Sequence, residues 1–168
     1  HPDDVELAAS GTIIKHIKLG KKVGIIDLTR GEMGTRGSAE IRNEESIQSS
    51  KILGISERHN LDLGDAFFDI SNENLIKVIQ KIREFQPKIV FCNAVSDRHP
   101  DHARASELVS RACFMSGLQK IKTYNGDVQQ DSHRPNVIYH YIQDRWIDPD
   151  IIVDVSDTFE LKLKAIKC

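Results

Sequence analysis

Apolar positions along the chain follow two alternating spacings. Residues 5–19 carry Leu7, Ile13, Ile14 and Ile17 at helical intervals, and Gly20 offers a C-terminal stop. Residues 22–28 (KVGIIDL) form a short β-branched run of the kind buried in a parallel sheet. A glycine-rich loop over 29–37 follows. Ser38 is placed to cap a helix reaching residue 53, with Ile41, Ile47 and Ile52 expected on its inner face. Residues 58–63 predict a further strand, 75–85 a helix stopped by Pro87, and 88–93 a buried strand. An amphipathic helix is expected over 103–115, ending near Gly117, and residues 124–134 read as an exposed polar excursion. Residues 137–142 and 151–155 predict the last strands, with Ser156 or Asp157 capping a final helix. Strands alternating with helices imply parallel βαβ units, hence a doubly wound, mostly parallel α/β sheet with helices on both faces. In such sheets functional groups collect in loops at the carboxyl ends of strands. Three loops meet that condition: the segment before Val5 if a strand precedes it, 29–37, and 94–101.

Composition narrows the class. A length of 168 residues suits one domain, and no repeat or internal boundary interrupts 1–168. Lys and Arg number 23 against 25 Asp and Glu, a net charge of −2 that removes the electrostatic case for nucleic acid or an anionic membrane. No apolar run approaches the roughly 20 residues that span a bilayer. Cys92, Cys113 and Cys168 are odd in number and lack close pairing, so a reducing, cytoplasmic location is expected. The sequence opens at His1 without Met and stops inside a helical pattern, so a piece cut at both ends is expected.

The chemistry concentrates in a repeated tetrad. Residues 1–4 read His-Pro-Asp-Asp and residues 99–102 read His-Pro-Asp-His. Each offers a ligand at its first and fourth positions, which share a face at a helix start, with a proline fixing the turn. Two such turns at neighbouring strand ends could converge His1, Asp4 and His102 on one point. Two imidazoles, one carboxylate and an open position form a catalytic zinc arrangement. Asp3 and His99 would stand beside the metal, where hydrolysis needs a base for water and a donor for the oxyanion. Either tetrad alone also reads as a capping turn; the pair in one α/β chain favours the metal.

Three segments carry a family resemblance. His1-Pro-Asp-Asp-Val-Glu6, Thr29-Arg-Gly-Glu-Met-Gly34 and His99-Pro-Asp-His102 resemble, in order, the signature segments of the LmbE-like (PIG-L) zinc-dependent deacetylases. The likeness runs through residues 133–135 and 154–156, across essentially the whole chain. It implies a Rossmann-like fold and one Zn2+ per chain bound by His1, Asp4 and His102. It also implies Asp3 as general base, a protonated His99 as electrostatic partner of the tetrahedral intermediate, and Asp101 as the group orienting His99. The stretch from Thr29 to Arg42 is most similar to the branch that deacetylates N-acetylglucosaminyl-malate in bacillithiol synthesis. An anionic aglycone of that kind calls for guanidinium groups. Arg36 and Arg134 are the expected carboxylate contacts, with Glu32 and Arg42 further substrate-binding candidates. The resemblance further suggests a homo-oligomer, with a hexamer as one form.

Other residues read as structural. His16 is expected at the surface, His59 and His140 in strand-like packing, and His133 as a pocket-lining option. Cys92 and Cys113 read as small core residues, and Trp146 as an anchor for a loop or subunit contact. The Gly31/Gly34/Gly37 run lacks the order of a phosphate-binding loop. Two other readings stay open: a deacetylase of another N-acetylated sugar (chitobiose-type, mycothiol-type or lipid-linked), or a non-catalytic α/β sugar- or nucleotide-binding module.

Overall fold

Most of the β-branched runs form strands, and helices alternate with them along the chain. The computed structural model describes residues 1–168. In chain order its main elements are α1 (Asp4–Ala8), α2 (Ser10–Lys18), β1 (Gly24–Asp27), α3 (Ala39–Leu53), β2 (Glu57–Asn60), α4 (Asn72–Phe85), β3 (Ile89–Cys92), α5 (Pro100–Met115), β4 (Tyr124–Asn125), β5 (Val128–Gln129), β6 (Val137–His140) and α6 (Phe159–Ile166). They divide into two compact units, residues 1–66 with 146–168, and residues 67–145.

In the first unit β1 and β2 pair in parallel, Ile25 opposite Arg58 and Asp27 opposite Asn60. Helices α1, α2, α3 and α6 belong to the same unit. Ile14 of α2, Leu53 of α3 and Ala165 of α6 form its buried apolar cluster, extended by Ile52, Ile55 and Leu161. Burying a side chain of the size of Ile14 is worth about 1.5–3 kcal/mol. Gly11 allows the chain to close over α2: a Cβ there would lie 2.8 Å from the Cβ of Val155. The expected single helix over 5–19 is two helices. Ala9 leaves helical geometry (φ −120°), and the Ser10 hydroxyl donates to the Glu6 carbonyl at 2.6 Å, a local bond that competes with the helix ladder.

Two expectations for this unit are corrected. Ser38 does cap α3, accepting the Ile41 amide at 3.3 Å. Its inner face, however, is Ser46, Ser49 and Leu53, while Ile41 and Ile47 are exposed and Ile52 is half-buried. Residues 151–155 form no strand, and Ile151, Ile152 and Val153 stay exposed. The final helix is preceded by a short 3-10 turn, Ser156–Thr158, with Thr158 donating to the Gly11 carbonyl at 3.0 Å.

The second unit repeats the parallel theme, β3 beside β6 with Cys92 opposite His140. Leu75, Val78, Ile79 and Ile82 form the buried stripe of α4, at the spacing that places four side chains on one helix face, against α5 with its buried Ala105, Leu108 and Ala112. The excursion after α5 is exposed, as expected, and folds into the β4–β5 hairpin around Gly126. Arg83, almost wholly buried, closes this unit by donating to the carbonyls of Ser116, Leu118 and Ile121 and to the Thr123 hydroxyl, at 2.7–3.0 Å. No helix is long and apolar enough to cross a membrane.

Candidate active site

The first tetrad opens α1. Asp3 holds the N-cap position, yet its side chain makes no capping bond. Its Oδ2 lies instead 3.4 Å from Nη1 of Arg42 on α3. The capping explanation therefore fails for Asp3, and a carboxylate at a helix entry is left to another task. Asp4 is buried and accepts the backbone nitrogen of His1 on Oδ2 at 2.9 Å. The His1 ring stands with Nε2 3.0 Å from Asp65 Oδ1. Asp65 is buried, and its Oδ2 accepts the Met33 amide at 2.9 Å, which ties His1 to the glycine-rich loop.

Beneath the tetrad lies a buried charge network. Arg58 of β2 grips Asp27 of β1 with two bonds, 2.7 and 2.9 Å, and reaches Glu6 of α1 at 2.5 Å. Ser49 of α3 donates to the same Glu6 oxygen at 2.8 Å, while Glu6 Oε2 is buried without a partner. Burial lifts the Asp27 carboxyl above the usual range, and the bonds and charge of Arg58 oppose that rise. The network fixes α1, and with it Asp3 and Asp4, against β1, β2 and α3.

The glycine-rich loop is held by Glu32. Its carboxylate accepts the Arg30 amide at 3.1 Å and the Asp65 amide at 2.7 Å, so both oxygens bind backbone. Gly31 has φ +66°, and a Cβ there would lie 2.9 Å from Arg42 Cδ; only glycine lets Arg42 lie across the loop. Arg42 is partly buried, whereas Arg36 is exposed.

The second tetrad opens α5 within the other unit. His99 caps the helix, its Nδ1 accepting the Asp101 amide at 3.2 Å, and Pro100 begins the first turn. With Nδ1 accepting that amide, Nε2 is the ring nitrogen able to donate. Asp101 meets His99 through its backbone amide, while its buried carboxylate accepts Arg104 Nη1 at 2.6 Å. The Arg104 guanidinium lies 5.3 Å over the Phe68 ring. The His99 and His102 rings stack with centroids 5.1 Å apart. His102 donates from Nδ1 to Asp97, a wholly enclosed carboxylate that also takes the Arg98 and Arg145 amides at 2.7 and 3.0 Å. Burial alone would raise the Asp97 carboxyl, but these donors outweigh it and bring it down to about 2.

The other residues singled out have protein partners of their own. Arg134 lays its guanidinium 4.4 Å over the Phe114 ring, and His133 bonds the Pro87 carbonyl at 2.8 Å. His140 bonds Ser106 Oγ and the Asn93 carbonyl, each at 2.9 Å. Trp146 is exposed and bonds Asp148. Sequence reasoning missed Asp65, Asp97 and Gln143. Only Asp97 carried a signal, standing two residues before the second tetrad.

The donor set suits a divalent metal: imidazoles and a carboxylate are zinc ligands, and each histidine is backed by a carboxylate that fixes its ring. His1 and Asp4 meet within the first unit, and His102 stands ready within the second.

The chain is 32% identical to the diacetylchitobiose deacetylase of Thermococcus kodakarensis over 99% of its own length and 65% of that protein's. It therefore spans just under two thirds of that relative. A probable N-acetyl-alpha-D-glucosaminyl L-malate deacetylase 2 of Bacillus anthracis is 29% identical over 82% of this chain and 66% of that protein. The crystal structure of the conserved protein TT1542 from Thermus thermophilus superposes with a TM-score of 0.90 at 34% identity, covering 99% of this chain and 73% of that one. The family model described as PIG-L, GlcNAc-PI de-N-acetylase, matches residues 1–113, and the chain belongs to that family.

Proposed function

We propose that the protein is a metal-dependent hydrolase that removes the N-acetyl group from an N-acetylglucosamine conjugate. The carrying observation is the first tetrad: Asp3 sits at a helix entry without capping it, beside Asp4 and a carboxylate-backed His1. In this reading His1, Asp4 and His102 hold zinc. When bound, zinc supplies Lewis acidity, acidifying water to a pKa of about 7 and polarising an acyl oxygen. Asp3 accepts the proton of the attacking water, its carboxylate held 3.4 Å from the Arg42 guanidinium. His99 donates its Nε2 proton in a hydrogen bond to the oxyanion, its other nitrogen engaged at the helix cap. Asp3 then returns the proton to the departing amine, giving acetate and a glucosamine.

The substrate we favour is N-acetylglucosaminyl-malate. Arg42 supports it as a partly buried guanidinium beside Asp3, and Arg36 as an exposed one on the adjacent loop. Diacetylchitobiose is the second reading, favoured by the 32% identity to the Thermococcus enzyme. Acetate release from both compounds, with chelator and with added zinc, tests the proposal. Turnover should vanish with chelator, return with zinc and be faster on the malate conjugate. No release from any acetylated glucosaminide overturns the function. Equal rates on both compounds, or an Arg36→Ala variant with unchanged KM for each, overturn the malate assignment.

A further inference from the structure

We propose that Asp97 and Asp65 are positioning residues that lock the imidazoles of His102 and His1 into the tautomers needed to take a metal. This rests on the metal-hydrolase reading above.

The tautomer of His102 follows from a chain of hydrogen bonds with one consistent direction. Gln143 Oε1 accepts Asn93 Nδ2 at 3.1 Å and the Ala94 amide at 3.2 Å, which makes the other end of that amide its NH2. This NH2 lies 3.3 Å from His102 Nε2 and donates to it. Nε2 is therefore the acceptor nitrogen, the ring proton sits on Nδ1, and Nδ1 donates to Asp97. Asp97 cannot swing away, because the amides of Arg98 and Arg145 hold its other oxygen. The Met33 amide restrains Asp65 through its other oxygen, and the 3.0 Å approach of His1 Nε2 to Asp65 Oδ1 favours the tautomer with the proton on Nε2, leaving Nδ1 as the ligand nitrogen of that ring. The two histidines thus present different nitrogens, Nδ1 of His1 and Nε2 of His102, each oriented by the carboxylate behind it. Gln143 holds the His102 lone pair oriented until a stronger acid displaces the amide.

Partners of this kind typically contribute 10–100-fold to metal affinity. Chelator-stripped protein is titrated with zinc against a chromophoric competitor, using wild type, Asp97→Ala, Asp97→Asn and Asp65→Ala, with circular dichroism reporting the fold. Wild type should take one zinc tightly. The alanine variants should bind it about 10–100-fold more weakly, with Asp97→Asn in between, and excess zinc should return kcat to within a few-fold of wild type. Folded alanine variants that bind zinc within twofold of wild type overturn the inference while leaving the hydrolase reading intact. A wild type that takes up no zinc overturns both. If a variant fails to fold, nitrogen-15 spectra of the wild-type histidine rings decide: His102 protonated at Nδ1 and His1 at Nε2 is expected, and the reverse at either ring overturns the assignment.

Discussion

Replacing Arg58 by Met tests whether the first tetrad rests on a buried charge network. The Met side chain keeps most of the volume, so the change removes charge rather than opening a cavity. It deletes two bonds to Asp27 and one to Glu6, all between side chains that are 9% exposed or less. Removing one partner of a buried ion pair costs about 3–5 kcal/mol, because the remaining charge is left desolvated. Here two carboxylates are stranded, and Glu6 already carries one oxygen without a partner, so about 4 kcal/mol is expected. For a chain of this size that lowers Tm by about 10 °C. The loss must also depend on pH. Burial already holds Asp27 above the ordinary carboxylate range, and Arg58 is the main opposing influence. In the variant its folded pKa rises further above the unfolded value. Such a group leaves stability intact below the unfolded pKa and drains it as pH rises through the folded one. Urea unfolding followed by circular dichroism should therefore show a larger deficit at pH 8 than at pH 5. A deficit under about 1 kcal/mol, or one that grows toward low pH, refutes the network as the support of α1.

Two further outcomes are expected. Asp3→Asn should bind zinc as wild type does and keep its Tm, since Asp3 makes no capping bond, while kcat falls by about 10²–10⁴-fold; metal analysis beside an acetate-release assay checks both, and full turnover refutes Asp3 as base. Burial pushes the Cys92 thiol up to about 12 and the Cys113 thiol up to about 11. At pH 8 a thiol reagent should modify only Cys168 in the native protein and all three cysteines after unfolding. With both folded pKa values above the unfolded one, stability is full below about pH 9 and declines as pH climbs toward them. Rapid native labelling of all three refutes the buried placement.

The strands and tetrads were legible because their signals are local. A β-branched run such as residues 24–27 has little choice but a buried strand, and the proline after each tetrad histidine marks the turn by itself. The α3 face was misjudged for a physical reason. Hydrophobic periodicity assumes that the inner face of a helix is apolar. On α3 the inward positions are Ser46 and Ser49, and Ser49 bonds Glu6 while the Ser46 carbonyl accepts from Arg58. A polar network needs polar neighbours, so the isoleucines were displaced outward and the pattern pointed to the wrong side. The run over 151–155 failed differently: its side chains suit a strand, but strand formation needs a partner edge, which no local pattern supplies.

The same distinction separates the residues found at the site from those missed. His1, Asp4, His99 and His102 announce themselves through spacing within one helical turn. Asp65 lies in the loop following β2, and Gln143 beyond β6. Each acts on a histidine far away in sequence, so neither has a spacing to be read. The fold must first bring β2 beside β1, and β6 beside β3, before a lone carboxylate or amide acquires its partner. Sequence motifs therefore name the groups that would touch the metal, and strand pairing selects the groups that decide which nitrogen each ring presents. A chain carrying both tetrads but lacking an acidic residue at 65 and 97 would match the family pattern and still bind its metal weakly. Transplanting those two carboxylates would be the means of restoring it.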